Sequence, residues 1–88
     1  MRYSERVRQA IENSGMSLQE VADRCRDIGV KIDRTYLSKI QNNACRPPLG
    51  KVNRAIAEVL GLDAEELELQ AYIERAPEEV RHRLKGAC

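Results

Sequence analysis

Six basic side chains between residues 31 and 57 form the group whose type and spacing most clearly suggest a chemical role. They are opposed by the single acid Asp33, so the segment carries +5 (six minus one) while the whole chain carries +1. Concentrated positive charge is typical of a surface that binds phosphates, because each neutralised phosphate releases counterions. A solvated charged face explains the same pattern, and charge alone leaves both interpretations open.

Residues that could catalyse a reaction or bind a metal are scarce. His82 is the only histidine, and neither a glycine-rich phosphate loop nor a pair of carboxylates in a core stripe accompanies it. Cys25, Cys45 and Cys88 are odd in number and widely spaced, which matches neither a disulfide framework nor a zinc site. We therefore expect free thiols, no metal, no cofactor and no enzymatic activity.

Length and composition limit the chain to one small domain. The 88 residues are 42% hydrophobic and 33% charged, which is typical of globular proteins, and the absence of Phe and Trp predicts an aliphatic core. No apolar run approaches the ~20 residues that a membrane span needs, and the N-terminus does not resemble a signal peptide. We therefore expect a cytoplasmic protein.

Apolar residues recur with the helical period along the whole chain, which predicts an all-α fold. Ser17 and Glu20 form a capping box that begins the second helix, and Asp33 can cap the third, whose inward residues are Leu37 and Ile40. The helices are predicted over about residues 4–13, 17–26, 33–42, 49–60 and 63–75, with a short sixth helix opened by Pro77.

A capped short helix, a turn and a second capped helix form a helix-turn-helix pattern. The pattern is carried by SLQEVA (17–22), TYLSKIQNN (35–43), RPP (46–48), AIAEVLGL (55–62) and EL (66–67). In this order, the segments resemble the Cro/lambda-repressor-like family, also called the xenobiotic-response-element (XRE) family, over about residues 4–67. The resemblance implies a five-helix DNA-binding domain whose second helix crosses the DNA backbone and whose third enters the major groove.

The outward face of the third helix, from about Asp33 to Asn42, is the predicted base-reading surface. Anchoring Leu37 and Ile40 in the core turns the other side of the helix towards solvent, and the resemblance implies base contacts from that side. The ring of Tyr36 could instead pack over the turn, and both roles stay open for it. The predicted base-reading residues are Arg34, Thr35, Tyr36, Ser38 and Lys39.

Polar and basic residues around that helix are expected to contact the DNA backbone, which sets the position of the protein rather than its sequence preference. For Lys51 and Arg54, a solvated surface position is nearly as good an interpretation. The predicted phosphate-contacting residues are Gln19, Lys31, Asn42, Asn43, Arg46 and Lys51.

The chain departs from the family's pattern at three points. The interval from Ala22 to Leu37 is longer than the family's usual spacing, so the second helix is extended or the turn is a loop. Leu18 stands where the family commonly has a phosphate-binding Gln, and Asn43 stands where Gly is usual.

The segment of residues 63–88 is interpreted as a helical extension of the 1–62 helix-turn-helix core. Its apolar surface is wider than packing on one side needs, and helix-turn-helix proteins commonly bind DNA as two-fold dimers. We therefore predict a homodimer, although the sixth helix could fold back and cover the same surface. The candidate interface residues are Leu69, Tyr72, Ile73, Val80 and Leu84.

Together these features predict a sequence-specific transcriptional regulator of double-stranded DNA, of bacterial or phage origin. A repressor rather than an activator is an expectation from the family. The alternative is a protein-interaction module, such as an antitoxin or an antirepressor partner, whose C-terminal helices bind another protein.

Overall fold

Five α-helices make up the part of the chain that the computed structural model describes, residues 1–75. They are α1 (Tyr3–Ser14), α2 (Leu18–Asp27), α3 (Arg34–Gln41), α4 (Gly50–Leu60) and α5 (Ala64–Arg75). The all-α, lambda-repressor-like fold predicted from the sequence is confirmed. The predicted sixth helix, with Pro77, Val80 and Leu84, lies outside the described residues, as do His82 and Cys88.

Three of the helices begin at a residue whose own side chain caps them. The Ser17 hydroxyl accepts a hydrogen bond from the Glu20 N–H at 3.1 Å, and the Asp33 carboxylate accepts one from the Tyr36 N–H at 2.8 Å. The Asp63 carboxylate accepts from the first turn of α5, at 2.9 Å and 3.1 Å. Each cap satisfies backbone donors that have no partner inside the helix, so the predicted starts of α2, α3 and α5 have a physical cause.

The other two helices, α1 and α4, receive their caps from α5. Neither Arg2 nor Leu49, the residues that precede them, provides a side-chain cap. Instead, the Glu74 carboxylate accepts a hydrogen bond from the Tyr3 N–H, and the Glu68 carboxylate accepts one from the Gly50 N–H, both at 2.7 Å. A negative charge at a helix N-terminus is also favoured by the helix dipole. Helix α5 is therefore joined to the starts of two other helices.

A single core lies between the helices, aliphatic apart from the buried ring of Tyr3, the Cys25 side chain and partly buried neighbours such as Tyr36, and every helix contributes to it. Its largest fully buried side chains include Tyr3, Leu37, Ile56 and Leu67. Cys25 is also buried, and burial raises the pKa of its thiol, which disfavours the reactive thiolate. Among residues 1–75, no helix combines the length and the apolar character needed to cross a membrane.

Candidate nucleic-acid interface

Helix α3 has one face in the core and the opposite face in solvent. Leu37 and Ile40 are 0% and 2% exposed, and the helix packs against α1 and α2. Arg34, Thr35 and Lys39 are exposed. Because the Asp33 cap fixes where the helix begins, Arg34 and Thr35 occupy its first turn. The geometry leaves two cations and a threonine available to an external partner on a short, well-anchored helix.

Tyr36 and Ser38, also predicted to read bases, are only partly exposed. Tyr36 packs against the core and lines a shallow groove with Ile32 and Val52. Burial raises the pKa of its hydroxyl. The Ser38 hydroxyl accepts a 3.4 Å hydrogen bond from the side-chain amide of Asn42. Packing over the turn therefore accounts for the position of Tyr36, while base contact by either residue stays a prediction.

The turn between α2 and α3 is a six-residue loop, residues 28–33, rather than an extension of α2. Helix α2 ends where Gly29 adopts a left-handed backbone with φ 91°, and the Val30 N–H donates to the Cys25 carbonyl at 3.0 Å. This bond is typical of the Schellman motif that terminates helices. The loop carries Lys31 into solvent. The extra residues therefore lengthen the turn and leave both flanking helices intact.

The loop between α3 and α4, residues 42–49, brings three of the predicted phosphate-contacting residues together. Asn43 has φ 55°, the left-handed conformation that usually calls for Gly, and the Ala44 N–H donates to the Lys39 carbonyl at 2.8 Å. Asn42, Asn43 and Arg46 are exposed along this loop. An asparagine therefore takes the left-handed position at the end of α3 where the family usually has Gly.

Cys45 lies in the same loop and is half-buried. Burial raises the pKa of its thiol, and the nearby ammonium of Lys39 opposes this shift in part. The thiol therefore stays protonated at neutral pH, and its side chain serves as a small apolar contact under the loop.

Arg8 of α1 is a residue of this surface that sequence reasoning missed. Its guanidinium donates to the Gln41 carbonyl at 2.6 Å and to the side-chain oxygen of Asn42 at 3.4 Å. A cation at the carboxyl end of α3 complements the helix dipole and binds one of the carbonyls left without a partner there. The two groups are 33 residues apart in sequence, so no local pattern could have indicated the contact.

The remaining predicted phosphate-contacting residues are spread over other elements. Gln19 is exposed in the first turn of α2, where its amide donates to Asp23 at 3.0 Å. Lys51 and Arg54 are exposed on α4 and line a shallow groove with residues 28–30 of the α2–α3 loop. The structure therefore groups Lys51 with the longer turn, while the side-chain hydrogen bond of Gln19 stays within α2.

Helix α5 exposes part of its apolar surface. Leu69 and Tyr72 are 61% and 57% exposed, and Ile73 is half-buried beside a cavity of about 600 Å³ that α5 forms with the α3–α4 loop. The other predicted interface residues, Val80 and Leu84, lie outside the described residues. No group of His, Cys, Asp or Glu side chains that could hold a metal ion occurs in residues 1–75.

A capped α2, a turn and a capped α3 whose outward face is free define a helix-turn-helix fold. The sequence matches the helix-turn-helix domain family over residues 4–73, which spans nearly all of the five helices. The chain belongs to this family, and the family indicates a DNA-binding regulator. Domains of this kind are typically not enzymes. A comparison with curated proteins and one with solved structures each found no match.

Proposed function

We propose that this protein is a sequence-specific transcriptional repressor of the Cro/lambda-repressor-like (XRE) family that acts in the cytoplasm as a homodimer. In this proposal, α3 enters the major groove of double-stranded DNA, and Arg34, Thr35 and Lys39 contact base edges. Tyr36 and Ser38 lie beside them and complete the predicted base-reading set.

The observation that carries the proposal is the division of α3 into a buried and a free face. With Leu37 and Ile40 at 0% and 2% exposure, the helix cannot rotate without opening the core. Arg34 and Lys39 are therefore held outward on a rigid element. Either can donate to O6 and N7 of guanine, a contact worth about 1–3 kcal/mol of discrimination, and Thr35 offers a methyl group to thymine.

Contacts with the phosphate backbone of the DNA are proposed for the exposed polar groups around α3. Asn42, Asn43 and Arg46 follow the helix directly, and Arg8 adds a cation that touches Asn42. Lys31, Lys51 and Gln19 extend the same set along other elements. Such contacts add affinity for any duplex and fix the orientation in which α3 meets the bases.

The homodimer is proposed from the exposed apolar residues of α5. Leu69 and Tyr72 follow each other at a spacing of three residues, so they share one side of the helix. In sedimentation experiments at micromolar concentration we expect a dimer, and we expect Leu69→Lys to shift it towards monomer while Glu12→Lys, at an exposed acid of α1, leaves it unchanged. A strict monomer that still binds a palindromic duplex would contradict the dimer.

The same exposed residues favour a second candidate, an antitoxin or antirepressor-type module whose α5 surface binds a different protein. The two candidates differ in what the exposed apolar surface of α5 meets. If the protein is a homodimer, Leu69→Lys should lower both the molecular mass seen in sedimentation and the affinity for DNA. If the second candidate is right, the wild type is a monomer and its affinity for duplex DNA does not depend on Leu69.

A selection of bound sequences from a random duplex pool tests the main proposal. We expect one enriched motif with two symmetric half-sites, whose centres are one helical turn of DNA, roughly 34 Å, or a multiple of it apart. The affinity for the enriched duplex should fall steeply between about 50 and 200 mM salt. Recovery of unenriched sequences with no salt dependence would overturn the assignment.

A further inference from the structure

The loop of residues 42–49 has a left-handed backbone near each end, with φ 55° at Asn43 and φ 61° at Gly50, the first residue of α4. Asn is one of the few residues besides Gly that tolerate this region, and the bond from the Ala44 N–H to the Lys39 carbonyl holds the loop where it leaves α3. Arg46 lies exposed between these two points.

Helix α5 supplies two contacts that hold this loop from behind. The Glu68 carboxylate accepts a hydrogen bond from the Gly50 N–H at 2.7 Å, and the Arg75 guanidinium donates to the Pro47 carbonyl at 2.9 Å. Both bonds involve an ionised group, which makes them stronger than neutral ones, and both are partly shielded from water. Leu49, which precedes α4, has no side chain that could replace Glu68 as the cap.

We propose that Glu68, with Arg75, is a positioning residue for DNA binding: it fixes the loop of residues 42–49 so that Arg46 and Asn43 meet the phosphate backbone. This inference rests on the proposed function, because it assigns a role within the DNA contact. Neither residue touches DNA in this account, since each acts through the backbone of the loop.

The sign of the charge makes the role of Glu68 testable. A carboxylate near a polyanion lowers affinity by simple repulsion, so removing its charge should strengthen DNA binding. A positioning role predicts instead that DNA affinity depends on the hydrogen bond to Gly50: variants that keep it should bind DNA normally, and variants that lose it should bind more weakly. Charge and hydrogen bond can be separated with two conservative substitutions.

Glu68→Gln removes the charge but keeps an oxygen that can accept from the Gly50 N–H. Glu68→Asp keeps the charge but draws the carboxylate back by about 1.5 Å, one C–C bond, and so loses the hydrogen bond. Glu12→Ala is the control for the loss of one acid, because Glu12 is an exposed acid of another helix, α1.

The test measures the affinity of each variant for the selected duplex as a function of salt, at a temperature where urea unfolding shows it to be folded. We expect wild-type affinity or better for Glu68→Gln and Glu12→Ala. We expect roughly tenfold weaker binding for Glu68→Asp, with the salt slope reduced by about 0.9 for each phosphate that the loop no longer reaches. A fraction of unfolded protein would change the amplitude of binding, not this slope.

Arg75→Met, compared with Arg24→Met, keeps the inference testable if Glu68→Asp does not fold. Both substitutions remove one cation, but only the first releases the Pro47 carbonyl. We expect the salt slope to fall in Arg75→Met alone. The positioning role would be overturned if Glu68→Asp matched Glu68→Gln, and Arg75→Met matched Arg24→Met, in both duplex affinity and salt slope while the wild type binds duplex normally. Absence of salt-dependent duplex binding by the wild type would instead overturn the proposed function.

Discussion

The Tyr3 hydroxyl donates a buried hydrogen bond of 2.9 Å to the side-chain oxygen of Asn53, which joins the first turn of α1 to the first turn of α4. Asn53 is itself fully buried, and its amide donates to the Ala64 carbonyl at the start of α5 at 3.1 Å. One asparagine therefore links three helices. A satisfied polar group inside an aliphatic core fixes how the helices pack, because any shift would leave it without partners.

Removing the Tyr3 hydroxyl should destabilise the fold. Tyr3→Phe leaves the Asn53 oxygen buried without a donor, so we expect the free energy of unfolding to fall by about 1–3 kcal/mol. Urea denaturation measures this change. Tyr72→Phe is the matched control, because Tyr72 is exposed and its substitution should stay within about 0.5 kcal/mol of wild type. Equal stability of the two variants would contradict a structural role for the bond.

Tyr3 should also make the fold sensitive to alkali. Burial, and to a lesser extent nearby Tyr36, Glu68 and Glu74, raise the pKa of the Tyr3 hydroxyl above its ordinary value of 10.0. The unfolded chain therefore ionises first, and stability that is complete below pH 10 is lost as the pH rises towards the folded-state pKa. The extra loss is about 1.4 kcal/mol per pH unit for one such group.

Unfolding free energies of wild type and Tyr3→Phe between pH 8 and pH 11 test this dependence. Both proteins contain the Cys25 thiol, whose pKa is also raised by burial. The difference between their unfolding free energies therefore reports the ionisation of Tyr3 alone. We expect the curves to run parallel below pH 10 and to converge above it. Parallel curves over the whole range would contradict the raised pKa of Tyr3.

The Asp33 cap should control the order of the exposed first turn of α3. In Asp33→Ala the Tyr36 N–H loses its acceptor, so we expect a loss of about 1 kcal/mol and faster amide hydrogen exchange at Tyr36. Asp33→Asn is the control, because asparagine caps helices about as well as aspartate. Unchanged exchange in the alanine variant would show that the start of α3 is held by other contacts.

Base reading and phosphate contact should separate in two alanine variants. Lys39→Ala should change the preference among duplex sequences, because Lys39 lies on the free face of α3. Arg46→Ala should weaken binding to all sequences alike and lower the salt slope by about 1. Titrations against a matched and a scrambled duplex measure both effects. Identical behaviour of the two variants on both duplexes would contradict the division of roles.

The parts of the fold that the sequence predicted are those governed by contacts within one helical turn. Ser17 and Asp33 cap backbone groups three residues away, and Leu37 and Ile40 follow from the helical period alone. The start of α4 shows the limit of this reasoning. Leu49, predicted inside the helix, is extended and precedes it, because the cap that begins α4 comes from α5.

The parts of the site that could not be predicted depend on contacts between distant residues. Arg8 and Gln41 are 33 positions apart, and Glu68 and Gly50 are 18 apart. Neither pair produces a periodic pattern in the sequence. In each pair one partner is a backbone group, and the type of the residue that carries it does not indicate which distant side chain will bind it. The exposed residues of α3 could be predicted from the sequence. The residues of α5 that hydrogen-bond to Pro47 and Gly50 could be identified only from the folded structure.

The cap that Glu74 provides for Tyr3 spans 71 positions of the chain. During synthesis at about 5 to 20 residues per second, roughly 4 to 14 s separate the addition of these two residues. The first turn of α1 therefore lacks this carboxylate until α5 has been synthesised, whereas the packing of α1 against α3 and α4 can begin earlier.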